Sequence, residues 1–158
     1  MRALLAAALL LAACAKDPGP GKAGYEPRDA AFALAAPADW RVTEDQGEGH
    51  RVSFFGPPGS YAESIGVYRY EATTPEAYRA ARAGGSAGPL TARPDGRFEF
   101  SARSLTPEMH GRPPEEVTVR HVLVPAGSVL WALVYTRPSS RPAGIAFDEL
   151  AASFKPKG

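Results

Sequence analysis

The chain has one cysteine, Cys14, so it can close no disulfide within itself. Its longest apolar run is short: Ala3–Ala13 holds only eleven residues of Ala and Leu. A membrane-spanning helix needs about 20 such residues, so this run does not span a bilayer. Excess charge is missing as well, with 18 basic against 17 acidic residues. That balance excludes the basic footprint of a nucleic-acid binder, and no nucleic-acid partner is expected. Lysine is scarce and confined to the ends, at Lys16, Lys22, Lys155 and Lys157. Histidine occurs at His50, His110 and His121, with no pair at the spacing of a zinc motif. No metal site, no cofactor, no internal repeat and no phosphate-cradling loop is expected.

What is present begins with the position of that cysteine. A cation at Arg2, a short apolar core and small residues before a polar break describe an export signal. Leu11-Ala12-Ala13-Cys14 resembles the lipobox of bacterial lipoproteins. The resemblance implies cleavage before Cys14 and a diacylglyceryl group on its sulfur. An ordinary secretory signal is the alternative. Two or three acyl chains, as in mature lipoproteins, give stable anchoring where one gives only marginal binding. With the thiol lipidated, a catalytic cysteine and a cysteine-based zinc site are excluded. Ala15 stands where some bacteria carry an inner-membrane retention aspartate, which favours the periplasmic face of the outer membrane over the inner membrane. Removal of Arg2 with the signal leaves 17 charges of each sign.

The organisation expected is a signal peptide over 1–13, a lipidated Cys14 with a flexible tether over 14–28, and one domain over 29–158. The tether reads DPGPGKAGYEPR from Asp17, punctuated by Pro and Gly without periodicity. Within the domain, strands are expected near 31–35, 51–56, 64–71, 96–104, 116–124 and 128–136. Gly56–Ser60, GPPGS, is a turn. Phe98, Phe100 and Ala102 alternate with Arg97, Glu99, Ser101 and Arg103, so that strand should bury one face. The apolar phase slips near Arg120-His121, which suggests a bulge. SVLWALVYT from Ser128 is apolar on both faces and belongs at the sheet centre. A first helix is expected from Pro75 to Ala83, started by a Thr73/Glu76 capping box or by Thr74 with Pro75 behind it. Its apolar face is thin: Ala77, Tyr78 and Ala81. A second helix from Ala143 to Ser153 carries the stripe Phe147, Leu150, Ala151 and Phe154. The fold class is α+β: an α/β/α sandwich around a mainly antiparallel sheet of about six strands, with two helices.

FALAAPADW, VSFFGP, TPEAYRAAR, GRPPEEV and IAFDELAASF, in that order, resemble the PsbP-like superfamily. That superfamily includes a photosystem II extrinsic subunit, a Ran-binding import factor and many bacterial lipoproteins. The resemblance implies a binding or assembly module without an active site of its own, since a fold does not transfer a partner.

Three candidate chemistries remain. Gly84-Gly85-Ser86-Ala87-Gly88 matches G-x-S-x-G, but a helix precedes it and Pro89-Leu90 follows, unlike a nucleophile elbow. A hydrolase at Ser86 needs His50, His110 or His121 beside it. Tyr61, Tyr68, Tyr70 and Tyr78 cluster in sequence and read as sheet packing first, sticky surface second. Trp40 and Trp131 read as core anchors, Glu115-Glu116 as a solvated strand edge, and the histidines as surface or half-buried side chains. The expected function is therefore a lipid-anchored envelope protein that acts as a non-catalytic binding or assembly module, its partner unknown and an envelope protein the candidate. A carrier or sensor of a small apolar ligand is the alternative, and a small serine hydrolase a further one. A protein-binding role calls for an exposed apolar patch, with Leu105–Pro114 as its candidate place. A ligand role calls for a cavity of about 300 Å³ or more between helix and sheet.

Overall fold

A strand that is apolar on both faces must be covered on both faces, and this one lies at the centre of the sheet. In the computed structural model, which describes residues 22–56, 63–82, 86–108 and 111–157, it is β9 (Val129–Pro138). Around it stand β3 (Arg41–Glu44), β4 (His50–Phe55), β5 (Ser64–Glu71), β6 (Thr91–Ala92), β7 (Phe98–Leu105) and β8 (Glu116–Ala126). They form a seven-stranded sheet in the order β3-β4-β5-β9-β8-β7-β6, and every pairing is antiparallel. The β8–β9 hairpin turns through Gly127-Ser128, with Gly127 at φ +61°, the left-handed value a type II′ turn places on its first central residue. A second sheet joins β1 (Lys22–Tyr25), β2 (Phe32–Pro37) and β10 (Lys155–Pro156).

The α+β architecture agrees with expectation, and three details differ. Expected tether residues Lys22–Tyr25 form β1, so the folded unit begins before Asp29: the strand pairs with β2, and Tyr25 packs edge-on against Phe54 at 5.0 Å. No bulge occurs at Arg120-His121, because both neighbours of β8 keep continuous register there. The register shift lies instead between His50 and Val52, where β4 meets β5. The short strands β3, β6 and β10 carry too few residues to show a periodicity, and add to the six expected.

The two faces are covered unequally. On one face, α2 (Phe147–Ser153) and β2 close a core containing Phe32, Leu34, Trp40, Trp131, Leu133 and Phe154. The stripe Phe147, Leu150, Ala151 and Phe154 is buried throughout, as its spacing requires. On the other face, α1 (Pro75–Arg82) buries only Tyr78; Ala77 and Ala81 stay exposed. Thr74 caps α1 by accepting the Ala77 amide at 3.1 Å, with Pro75 first in the helix. Thr73 bonds back to the Glu71 carbonyl instead.

Helix α2 has no side-chain cap at Ala146. Two arginines from the sheet hold its ends. Arg120 donates to both Asp148 carboxylate oxygens, at 2.9 and 2.7 Å, and to Glu99 at 2.9 Å. Arg97 donates to the carbonyls of Ala151, which also accepts the Phe154 amide, and of Phe154 at the helix C-terminus. The polar face of β7 and β8 thus serves the helix above it. A charged hydrogen bond contributes about 1.5–3 kcal/mol when shielded, but Asp148 is 60% exposed, and exposed pairs contribute under about 1 kcal/mol. Arg120→Met should therefore lower unfolding free energy by about 1–2 kcal/mol. Urea denaturation of Arg120→Met, Asp148→Asn and the double variant checks this, with the two losses expected to be less than additive.

Candidate functional site

Because α1 is short and sits on one buried tyrosine, the sheet face beneath it is only part-covered. A cleft of about 380 Å³ opens there, bordered by Tyr68, Tyr78, Arg82, Ser86, His121 and Val134, among others. A larger recess of about 510 Å³ lies under α2. Its charged and phenolic groups are already engaged: Arg120 by Asp148 and Glu99, Arg137 by backbone carbonyls, Glu149 by Lys22, and the Tyr135 hydroxyl by Glu63 at 2.5 Å. The first cleft keeps unspent hydrogen-bonding capacity.

Register builds this cleft. Phe100 on β7 pairs with His121 on β8, and their rings stack at 4.3 Å and 7°. From the opposite side the Tyr78 hydroxyl reaches His121 Nδ1 at 3.2 Å. The residue is 7% exposed. Burial, reinforced by the Arg82 charge, pushes its pKa down from 6.5 to about 4, so the ring is neutral at pH 7. Burial also holds the Tyr78 phenol well above its usual range, so it keeps its proton. A phenol donates more strongly than an imidazole N–H, and an imidazole nitrogen accepts more strongly than a phenol oxygen, so His121 is assigned the Nε2–H tautomer on chemical grounds. Among the described residues, Nε2 has no protein partner, and it is not sealed from the cleft.

The rest of the wall is aromatic and cationic. Tyr68 and Tyr70 stack at 6.3 Å, and Tyr70 meets Tyr78 at 5.3 Å. Gly66 gives the Tyr68 ring its place: a Cβ there would lie 2.6 Å from the ring. Arg82 lies over the Tyr70 and Tyr78 rings at 5.3 and 5.8 Å and donates to the Tyr70 hydroxyl at 2.6 Å. Arg79 fastens α1 to the next segment through the Gly88 carbonyl at 2.9 Å.

Of the residues singled out in sequence, the fold brings Tyr68, Tyr78, Ser86 and His121 to this cleft. Ser86 donates to the Arg103 carbonyl at 2.8 Å, and Ala87 bridges to Ala102 on β7. The serine therefore sits between α1 and a strand-like segment, not on a strand-to-helix turn. His50 is apart: it accepts the Gln46 amide at Nδ1 and meets Ser53 Oγ at 2.9 Å through Nε2. Both His50 and His121 are buried, contrary to the surface or half-buried placement expected; aromatic neighbours and hydrogen bonds, at both ring nitrogens of His50 and at Nδ1 of His121, make that tolerable. Trp40 and Trp131 are core residues as expected. Glu115 is half-buried and Glu116 exposed, 3.8 Å from Arg103. Leu105 is exposed, and so is Val42, but these belong to β7 and β3, near opposite edges of the sheet, and share no patch. Cys14, the Pro57–Ser60 part of the turn, Tyr61, Gly84, Gly85 and His110 lie outside the described residues. No group of three metal-ligating side chains occurs among the described residues. Arg82 and the His121–Tyr78 pair were not legible as a site, since neither belongs to a sequence motif.

No family model and no curated protein matches the chain. Solved structures do. A crystal structure of a Bacteroides thetaiotaomicron VPI-5482 protein is similar at TM-score 0.59 and 20% identity over 87% of this chain. The match takes in 49% of that protein, so this chain spans about half its length. The solution structure of cyanobacterial PsbP, CyanoP, from Synechocystis sp. PCC 6803 is similar at TM-score 0.55 and 15% identity, covering 93% of this chain and 99% of that one. The fold is PsbP-like; at these identities the likeness concerns the fold alone.

The buried neutral imidazole has a pH consequence. Unfolded His121 takes up a proton below pH 6.5, whereas the folded ring resists until about pH 4. Its stability contribution is thus fully present above pH 6.5 and is lost as pH falls toward 4, by about 3 kcal/mol in all. His50, also pushed down by burial, acts with the same sign. Urea denaturation at pH 7 and pH 4 should show a shallower pH slope for His121→Phe than for the parent chain.

Proposed function

We propose that this protein is a non-catalytic binding module of the bacterial envelope, held by lipid on Cys14, that takes a small ligand into the cleft under α1. The supporting observation is the cleft itself: about 380 Å³ between helix and sheet, lined by His121, whose Nε2 has no partner among the described residues. A broad protein-docking surface has less support, because the exposed large hydrophobics among the described residues, Val42 and Leu105, stand apart. The ligand differs from the purely apolar one considered from sequence, since Arg82, Ser86 and His121 line the cleft beside Tyr68 and Val134. The lipobox-like Leu11-Ala12-Ala13-Cys14 supports the anchor, and Ala15 after it favours the periplasmic face of the outer membrane over the inner membrane.

A second reading, a hydrolase at Ser86, draws on the presence of Ser86 and His121 in one cleft. The Ser86 hydroxyl, however, donates to the Arg103 carbonyl, and His121 Nδ1 is taken by Tyr78. The absence of labelling by a fluorophosphonate probe separates the binding module from a serine hydrolase. Intact mass of protein purified from its native membrane tests the anchor. Cleavage before Cys14 with a diacylglyceryl adduct is expected, and Cys14→Ser should abolish both. An uncleaved, unmodified chain would remove the envelope assignment.

A further inference from the structure

The cleft under α1 is one-sided in charge. Arg82 lines it and no carboxylate does among the described residues; Arg103 borders it with the backbone carbonyl that accepts the Ser86 hydroxyl. Arg103 has Glu116 at 3.8 Å, out on the exposed side. Arg82 has no acidic partner among the described residues; its guanidinium spends one donor on the Tyr70 hydroxyl and leaves the others open. His121 adds a second kind of donor. Its Nδ1 accepts from Tyr78, so Nε2 carries the hydrogen, and this nitrogen of a residue 7% exposed has no protein acceptor among the described residues. The nitrogen is not sealed from the cleft, so an acceptor supplied from outside can reach it.

The two donors belong to one place. Arg82 lies 5.8 Å from the Tyr78 ring centre and His121 lies 5.7 Å from it, so they flank the same ring. Beside them, Tyr68, Val119 and Val134 supply a flat apolar wall. A guanidinium fork next to an N–H donor matches the oxygens of a carboxylate or a phosphate monoester. A neutral ligand would leave the Arg82 charge unanswered, and a cation would be repelled.

Resting on the reading of this cleft as a binding site, we propose that its ligand is an oxyanion, carboxylate or phosphate ester, borne on a flat apolar body. Arg82 and His121 Nε2 hold the anionic oxygens, and the Tyr68–Val134 wall receives the body. Free acids and esters of phosphoric acid share this chemistry, so both are tested.

The experiment uses the full chain in mild detergent and three probes of one shape: benzoate, phenyl phosphate and benzamide. Binding is followed by calorimetry and by the ¹⁵N shift of the His121 ring. Either anion should bind at least about tenfold more tightly than benzamide and move the His121 Nε2 signal. Whichever anion binds better identifies the oxyanion, and both results support the proposal. Arg82→Gln should erase the preference for the anion while leaving benzamide binding in place. Arg82→Lys, which keeps charge without the fork, should restore part of it. Thermal melts confirm that these exposed-helix variants fold. Equal binding of benzoate, phenyl phosphate and benzamide overturns the oxyanion proposal but leaves the cleft a binding site. Binding of none of the three overturns both.

Discussion

The structure depends on one strand that tolerates water on neither face. β9 sends Leu130 and Ala132 to one side and Trp131, Leu133 and Tyr135 to the other, and each set must be removed from solvent. A sheet with β9 at its centre satisfies the backbone, and the two flanking layers satisfy the side chains. Those layers are unequal. One combines a helix with a three-stranded sheet and closes a large core; the other is a short helix that buries one tyrosine. The cleft is the geometric remainder of that inequality, as it lies where α1 is too small to cover the sheet beneath it.

Polar groups inside the layers are organised by partnership. On the α2 side, Arg97 and Arg120 turn a face patterned for solvent into a clamp on a helix that has no side-chain cap of its own. On the α1 side, Arg82 and Arg79 do related work against aromatic rings and backbone carbonyls. The contrast lies in completion. The α2 arginines are met by carboxylates or helix-end carbonyls, and the charged and phenolic groups of the recess there are engaged. Among the described residues, the Arg82 charge meets no carboxylate and His121 Nε2 meets no partner.

The His121 environment links these layers. Stacking on Phe100 and the Tyr78 hydroxyl hold the ring in one orientation, and burial holds it neutral. In the assigned tautomer, Nε2 of the neutral ring offers a donor and not an acceptor. Gly66 contributes by absence, leaving room for the Tyr68 ring that forms the apolar wall.

Much of this was legible along the chain. The doubly apolar run from Ser128 announced the central strand, and the i, i+3, i+4, i+7 stripe of Phe147, Leu150, Ala151 and Phe154 announced a helix on a sheet. Thr74-Pro75 marked the start of α1. These features follow from local periodicity and capping, which neighbouring residues determine among themselves. Four strands were not legible. β1, β3, β6 and β10 have little pattern of their own and exist because a partner offers them open hydrogen bonds. The polar faces of β7 and β8 misled for a similar reason: alternation says which side chains share a face, but not whether water or a helix lies over it. The site belongs wholly to this second class. Tyr78, Arg82, Phe100 and His121 come from a helix and two strands, and only pairing Phe100 with His121 and laying α1 across them brings the four together. Sequence settles what each segment can become; register and layer packing settle which distant side chains meet, because those contacts are made between segments and carry no local signature.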